Sequence, residues 1–105
     1  MAASKDSVVN DVKRYIELLK AKGIPVQRAL LFGSWAKGVA REESDVDVAV
    51  ISSFFSGDRF SDRRKIVPLR RGINVNIEPL PFTPQDFADG GILVEEIMRH
   101  GEEIG

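Results

Sequence analysis

The fold of this chain is decided by the stretch LFGSWAKG, Leu31 to Gly38, and by SDVDVAV, Ser44 to Val50, which follows after a short charged segment. The apolar residues before Gly33 predict a buried strand, and those after it predict a helix. Gly33 has no Cβ and allows a sharp turn, and Ser34 is expected to cap the helix. Because backbone N–H groups at a helix start favour an anion, we expect a phosphate-binding turn at Gly33 and Ser34.

A pair of aspartates opens the second apolar strand. Asp45 and Asp47 alternate with valines, so both carboxylates lie on one face of the strand while the valines enter the core. Two like charges this close repel each other unless a cation lies between them. Mg²⁺ suits this position because it prefers oxygen ligands and uses one or two protein carboxylates, leaving its other positions to water and phosphate. The sequence therefore predicts a metal site facing a phosphate site, which phosphoryl or nucleotidyl transfer requires.

The order of these features resembles the signature of the DNA polymerase β nucleotidyltransferase superfamily, in particular its small stand-alone members, the minimal nucleotidyltransferases. The resemblance is specific from Leu31 to Val50 and looser as far as Glu103. It implies an α/β fold, with a small, twisted, mixed sheet of three or four strands that carries the site on one face and packs helices on the other. It also implies that the nucleotide triphosphate is bound by Gly33, Ser34 and Gly38, and that two Mg²⁺ ions are bound by Asp45 and Asp47.

Members of this superfamily use a third carboxylate, commonly aspartate, on the strand beside the two aspartates, to complete the metal site and to help deprotonate the attacking hydroxyl. The alternation of apolar and polar residues over 73–78 predicts that strand, and Pro79 and Pro81 are expected to end it. Either Asn76 or Glu78 could take the place, because both project to the same face. We assign Glu78 as a metal ligand and catalytic residue, since an amide cannot act as a base; a solvated edge-strand glutamate is the alternative.

Two functions are compatible with this resemblance. The first is a nucleotidyltransferase that moves AMP from ATP, or another nucleoside monophosphate from its triphosphate, to an acceptor hydroxyl on a partner protein. The second is an inactive, antitoxin-like nucleotide-binding module that binds a small helical partner. In both cases the resemblance implies a partner of the HEPN type. Intact Asp45, Asp47 and Glu78 favour the enzyme, whereas Asn76 at the commoner acid position favours the inactive module.

Composition restricts the chemistry further. The chain has 105 residues, of which 43% are hydrophobic, so we expect one domain over 1–105. It contains no cysteine, which excludes disulfides and thiol chemistry, and a zinc site would depend on one histidine and carboxylates. No stretch approaches the roughly 20 apolar residues of a membrane span, and the N-terminal residues lack an apolar signal core, so we expect a cytoplasmic protein.

Charge argues against nucleic acid as a partner. The net charge is −1, whereas broad nucleic-acid binding normally leaves a basic footprint. Basic residues do cluster between Arg59 and Arg71, and we interpret most of them as the solvated face of a helix from about Asp58 to Leu69. One or two of these arginines could instead contact phosphate or an acidic partner, because guanidinium binds phosphate in a bidentate manner.

Overall fold

Helices and strands alternate along the chain in the computed structural model, which describes residues 3–104. The elements are α1 (Lys5–Ala21), β1 (Arg28–Phe32), α2 (Ser34–Lys37), β2 (Val46–Ile51), α3 (Arg59–Ile66), a 3₁₀ turn (Val67–Arg70), β3 (Ile77–Phe82), α4 (Pro84–Asp89), α5 (Ile92–His100) and β4 (Glu102–Glu103). None of the helices in this part of the chain is both long and apolar enough to cross a membrane.

The strands form one mixed sheet in the order β3-β2-β1-β4. Strand β1 is antiparallel to both β2 and β4, whereas β2 and β3 are parallel. In this register Asp47 lies opposite Phe32 on one side and opposite Glu78 on the other. The C-terminal end of β1 and the N-terminal ends of β2 and β3 therefore lie side by side at the same end of the sheet. The expected α/β fold with a small mixed sheet is confirmed.

Apolar side chains pack on both faces of the sheet. The larger cluster joins α1 and Ile66 of α3 to inward-facing residues of the strands, such as Leu31 and Val48. A second cluster on the opposite face joins Ala49 of β2 to Phe87 of α4 and to residues of α5. Helices are expected from the sequence on one face only, but α4 and α5 also cover part of the other face. At the start of β2 and β3 on that face, Asp47 and Glu78 are partly exposed.

The third strand lies later in the chain than its alternation predicted. Residues 71–76 form a series of turns, and β3 includes both Pro79 and Pro81, so the prediction that these prolines end the strand is wrong. The physical reason is that β3 is an edge strand. The carbonyl group of Asn76 accepts a hydrogen bond from Val46 of β2, and that of Phe82 accepts one from Ser52, directly after β2. Even-numbered residues of β3 therefore face β2, and the backbone groups of the odd-numbered residues between them point outward. A proline there removes only a donor that the sheet does not use.

Candidate active site

The turn after β1 depends on a glycine. Gly33 has φ +73° and ψ −151°, a backbone conformation that is essentially restricted to glycine. Gly33 itself occupies the N-cap position of α2, and Ser34 is the first helical residue. The expectation that Ser34 caps the helix is therefore wrong, because the turn ends one residue earlier than the sequence pattern indicated. The backbone N–H groups at the start of α2 remain the groups expected to face an anion.

Gly33 also makes room for a carboxylate. A Cβ added at Gly33 would overlap Oδ2 of Asp47 and would lie 3.2 Å from its Cγ. The proposed phosphate turn and the proposed metal ligand are thus in direct contact. Gly38, the second glycine of the motif, ends α2 in a left-handed conformation at φ +78°, and a Cβ there would meet nothing within 4 Å. The left-handed conformation is by itself a sufficient reason for a glycine at position 38, with no ligand needed to explain it. Nucleotide binding by Gly38 therefore stays a prediction.

Contacts around α2 fix the position of this turn. Trp35 is buried, and its indole nitrogen donates a hydrogen bond to the carbonyl oxygen of Ser44 at 3.3 Å. This bond ties α2 to the residue that precedes the aspartates. Lys37 forms an ion pair with Glu96 of α5, with 2.7 Å between Nζ and Oε1. The lysine therefore has a partner on the protein, and the helix is held at both ends.

Asp45 and Asp47 form an uncompensated acidic pair. Asp45 is exposed and Asp47 is half-buried. Burial raises the pKa of Asp47 above its ordinary value, and the charges of Asp45 and Glu78 raise it further. Within residues 3–104 neither aspartate forms an ion pair. Because a cation between them would relieve this repulsion and their oxygens suit Mg²⁺, the pair fits the expected metal.

Glu78 lies on the strand beside Asp47 but is held by two arginines. Its Oε2 accepts a hydrogen bond from Nη2 of Arg63 at 3.2 Å, and its Oε1 accepts one from Nη1 of Arg70 at 3.0 Å. In the part of the chain that the structure describes, no three acidic, histidine or cysteine side chains are grouped closely enough to hold one metal ion. The assignment of Glu78 as third ligand therefore stays a prediction. Asn76 lies in the turn before β3, so Glu78 is the polar residue that the register sets opposite Asp47.

The pairing of these arginines with Glu78 is not predicted by the sequence pattern. Arg63 and Arg70 were grouped with the solvated basic residues, and most of that group does lie at the surface: Arg59, Arg64 and Lys65 are exposed, each with its charge over a phenylalanine ring. The spacing of seven residues between Arg63 and Arg70, about two helical turns, places both on one face of the helical segment. That spacing could have indicated a shared anionic partner, but not which one.

Comparison with known proteins identifies the family of this chain. A family model described as a nucleotidyltransferase domain matches residues 12–83, which include the glycine turn, both aspartates and Glu78. The chain belongs to the nucleotidyltransferase family. No curated protein shows significant sequence similarity to this nucleotidyltransferase.

Solved structures show the same fold at low sequence identity. A proposed nucleotidyltransferase from Sulfolobus solfataricus is 13% identical, with a TM-score of 0.69, over 94% of this chain and 80% of that chain. A toxin–antitoxin structure with AMP-PNP is 19% identical, with a TM-score of 0.59, over 90% of this chain and 70% of that one. A mutant of the toxin–antitoxin MntA-HpeT in which two aspartates are replaced by glutamate is 17% identical, with a TM-score of 0.55, over 87% and 69% of the two chains.

Proposed function

We propose that this nucleotidyltransferase transfers AMP from ATP to a hydroxyl group of a partner protein. The observation that carries the proposal is the contact between the two halves of the site, because the carboxylate of Asp47 fills the space that a side chain at Gly33 would occupy. A nucleotide whose phosphates rest on this turn would have its phosphate oxygens beside Asp45 and Asp47. That geometry suits attack at a phosphorus atom next to a metal site.

Each residue has a role that its position supports. The backbone at Gly33 and Ser34 binds the β and γ phosphates, and Asp45 and Asp47 hold two Mg²⁺ ions. When bound, these ions neutralise phosphate charge and orient the reacting oxygens. The acceptor hydroxyl transfers its proton to Glu78 while its oxygen attacks the α phosphorus in line. The bond from the α phosphorus to the bridging oxygen of the β phosphate breaks, and pyrophosphate leaves. Positioning and preorganised charge supply the rate enhancement.

The acceptor is proposed to lie on a separate protein. Two of the structures compared above are toxin–antitoxin structures, and one of these contains AMP-PNP. These neighbours support a nucleotide and a protein partner for this chain as well. We propose a small helical partner of the HEPN type, modified at a hydroxyl-bearing side chain such as tyrosine. The cytoplasm, where ATP and Mg²⁺ are abundant, is the compartment that this activity implies.

One observation favours the second candidate, an antitoxin-like module that binds nucleotide and partner without turnover. Both carboxylate oxygens of Glu78 are hydrogen-bonded to guanidinium groups. A carboxylate with both oxygens engaged by guanidinium donors must leave at least one of them before it can contact an acceptor hydroxyl. If Glu78 remained in this state with nucleotide bound, the chain would bind ATP and a partner but would lack a base.

Label transfer separates the two candidates. Purified chain is incubated with Mg²⁺, a HEPN-type partner and ATP labelled at the α phosphate, with ATP labelled at the γ phosphate in a parallel reaction. Label on the partner from α-labelled ATP only, lost in Asp47→Asn, supports AMP transfer. Binding of ATP and of the partner without label supports the inactive module. Label from γ-labelled ATP would instead indicate a kinase and contradict both.

A further inference from the structure

Glu78 is held from the outer edge of the sheet by two guanidinium groups. Arg63 lies on α3, and Arg70 lies at the end of the 3₁₀ turn. Besides binding one oxygen of Glu78 each, these arginines donate to backbone carbonyls of β3: Arg63 to Pro79 at 2.8 Å, and Arg70 to Ile77 at 2.7 Å. Each arginine therefore links the Glu78 side chain to the backbone of β3, the strand that carries Glu78.

The direction of these contacts matters for the metal site. The carbonyls of Asn76 and Phe82 point toward β2, so those of Ile77 and Pro79 point away from it. The arginines thus approach Glu78 from the side opposite β2, whereas Asp47 lies on β2 directly across from Glu78. Neighbouring strands are about 4.8 Å apart, a distance that a glutamate side chain can bridge. Glu78 can reach the aspartates, but in this structure it contacts the arginines.

The electrostatics agree with this geometry. Asp47 and Glu78 lie opposite each other on β2 and β3, so the negative charge of Glu78 lies beside the aspartate pair. Two guanidinium charges beside Glu78 also oppose the approach of a divalent cation to its oxygens.

We infer that Arg63 and Arg70 are positioning residues that hold Glu78 out of the metal site in the free chain. Asp45 and Asp47 then bind a divalent cation without Glu78, which becomes a ligand only when the arginines release it. This inference rests on the proposed function, because it requires the aspartates to form a metal site. It also specifies how the active and inactive candidates could be two states of one site, which differ in the partner of Glu78.

Mn²⁺ binding to the isolated chain tests the inference without any turnover. Mn²⁺ accepts the same oxygen ligands as Mg²⁺, and the loss of its free electron-paramagnetic-resonance signal reports binding directly. Affinity is measured in the unchanged chain, in Arg63→Gln/Arg70→Gln, in Glu78→Gln, and in the combination of all three changes. Arg59→Gln/Arg64→Gln serves as the charge-matched control, because it removes two cations from the same helix without touching Glu78. Circular dichroism verifies folding, and Arg63→Lys/Arg70→Lys replaces the glutamine pair if that pair does not fold.

We expect the effect of Glu78→Gln on Mn²⁺ affinity to depend strongly on whether Arg63 and Arg70 are present. Glu78→Gln alone should change Mn²⁺ affinity less than about threefold, whereas in the Arg63→Gln/Arg70→Gln background it should lower affinity roughly tenfold, a coupling typical of contacting residues. The arginine pair should raise affinity clearly more than the Arg59→Gln/Arg64→Gln control does. The lysine pair, which keeps the charge but loses the planar fork, should also raise affinity.

Other outcomes overturn specific parts. A tenfold loss of affinity from Glu78→Gln alone would mean that Glu78 is already a ligand, and the inference fails. Additive effects of the arginine and glutamate changes would mean that the arginines act only through their charge, and the inference fails again. If the unchanged chain and Asp47→Asn bind Mn²⁺ equally well, the metal site of the proposed function itself is wrong.

Discussion

Replacing Gly33 with alanine separates the two reasons for a glycine at this turn. Gly33 has φ +73° and ψ −151°, and Gly90 has nearly the same backbone conformation, φ +79° and ψ −146°. Forcing alanine into this region costs about 1–3 kcal/mol. At about 4–8 °C per kcal/mol for a domain of this size, each variant should lose roughly 4–24 °C in Tm. Gly90→Ala is therefore a control for backbone strain, because a Cβ at Gly90 meets nothing within 4 Å.

Only Gly33→Ala should also damage the site. Its Cβ would overlap Oδ2 of Asp47, and since non-bonded heavy atoms settle about 3.5 Å apart, that oxygen must move by roughly 1 Å. Metal–ligand distances tolerate only about 0.2 Å, so a displacement of this size should abolish Mg²⁺-dependent ATP binding. Isothermal titration of both variants, with Mg²⁺ and with EDTA, measures the effect. Unchanged Mg²⁺-dependent affinity in folded Gly33→Ala, or equal losses in both variants, would refute the proposed contact between turn and metal ligand.

Three further changes test separate features of the structure. Because the pKa of Asp47 is raised in the folded chain, its ionisation destabilises the metal-free fold as the pH rises above the ordinary pKa of an aspartate, about 3.9, and through the raised value. Thermal melts in EDTA should therefore show Asp47→Asn gaining stability over the unchanged chain across that pH range, and a constant difference would contradict the assigned repulsion. The buried carboxylate of Asp62 accepts hydrogen bonds from three backbone and hydroxyl donors of the preceding loop. Asp62→Ala leaves these donors unsatisfied and should lower the free energy of unfolding, measured with denaturant, by about 1–3 kcal/mol or more. Asp89→Ala, at an exposed site, should lower it little. A Cβ at Gly101 would overlap a backbone oxygen of α5, so Gly101→Ala should lower Tm by several °C. Gly72→Ala is the control, because the space around Gly72 is open, and it should leave Tm unchanged. Equal Tm values for the two variants would show that the end of the helix adjusts without strain.

Local sequence determined the two halves of the site. Alternation is a property of any strand, so Asp45 and Asp47 had to share a face once Val46 and Val48 entered the core. The turn at Gly33 was equally local, because its conformation is accessible only to glycine. That the turn and Asp47 would meet also followed from order along the chain, since two successive strands that pair antiparallel bring the end of one beside the start of the next.

Tertiary structure decided what the pattern of short segments could not. Pro79 and Pro81 read as the end of a strand, yet they lie inside β3, because only the position of β3 at the edge of the sheet makes their missing donors harmless. Tertiary structure also decided that α4 and α5 form a second layer, because they cover the face of the sheet that α1 and α3 leave open.

The partner of Glu78 was also beyond the sequence. Arg63 and Arg70 belong to a run of basic residues whose composition indicates only a solvated face. Which of them meets a carboxylate depends on how α3 and the 3₁₀ turn pack along the edge of β3, where outward-pointing carbonyls need donors. Sequence alone therefore determined the acidic pair and its glycine turn, because these follow from backbone geometry over a few residues. The surroundings of Glu78, the proposed base, were decided by contacts between segments whose relative positions no local pattern specifies.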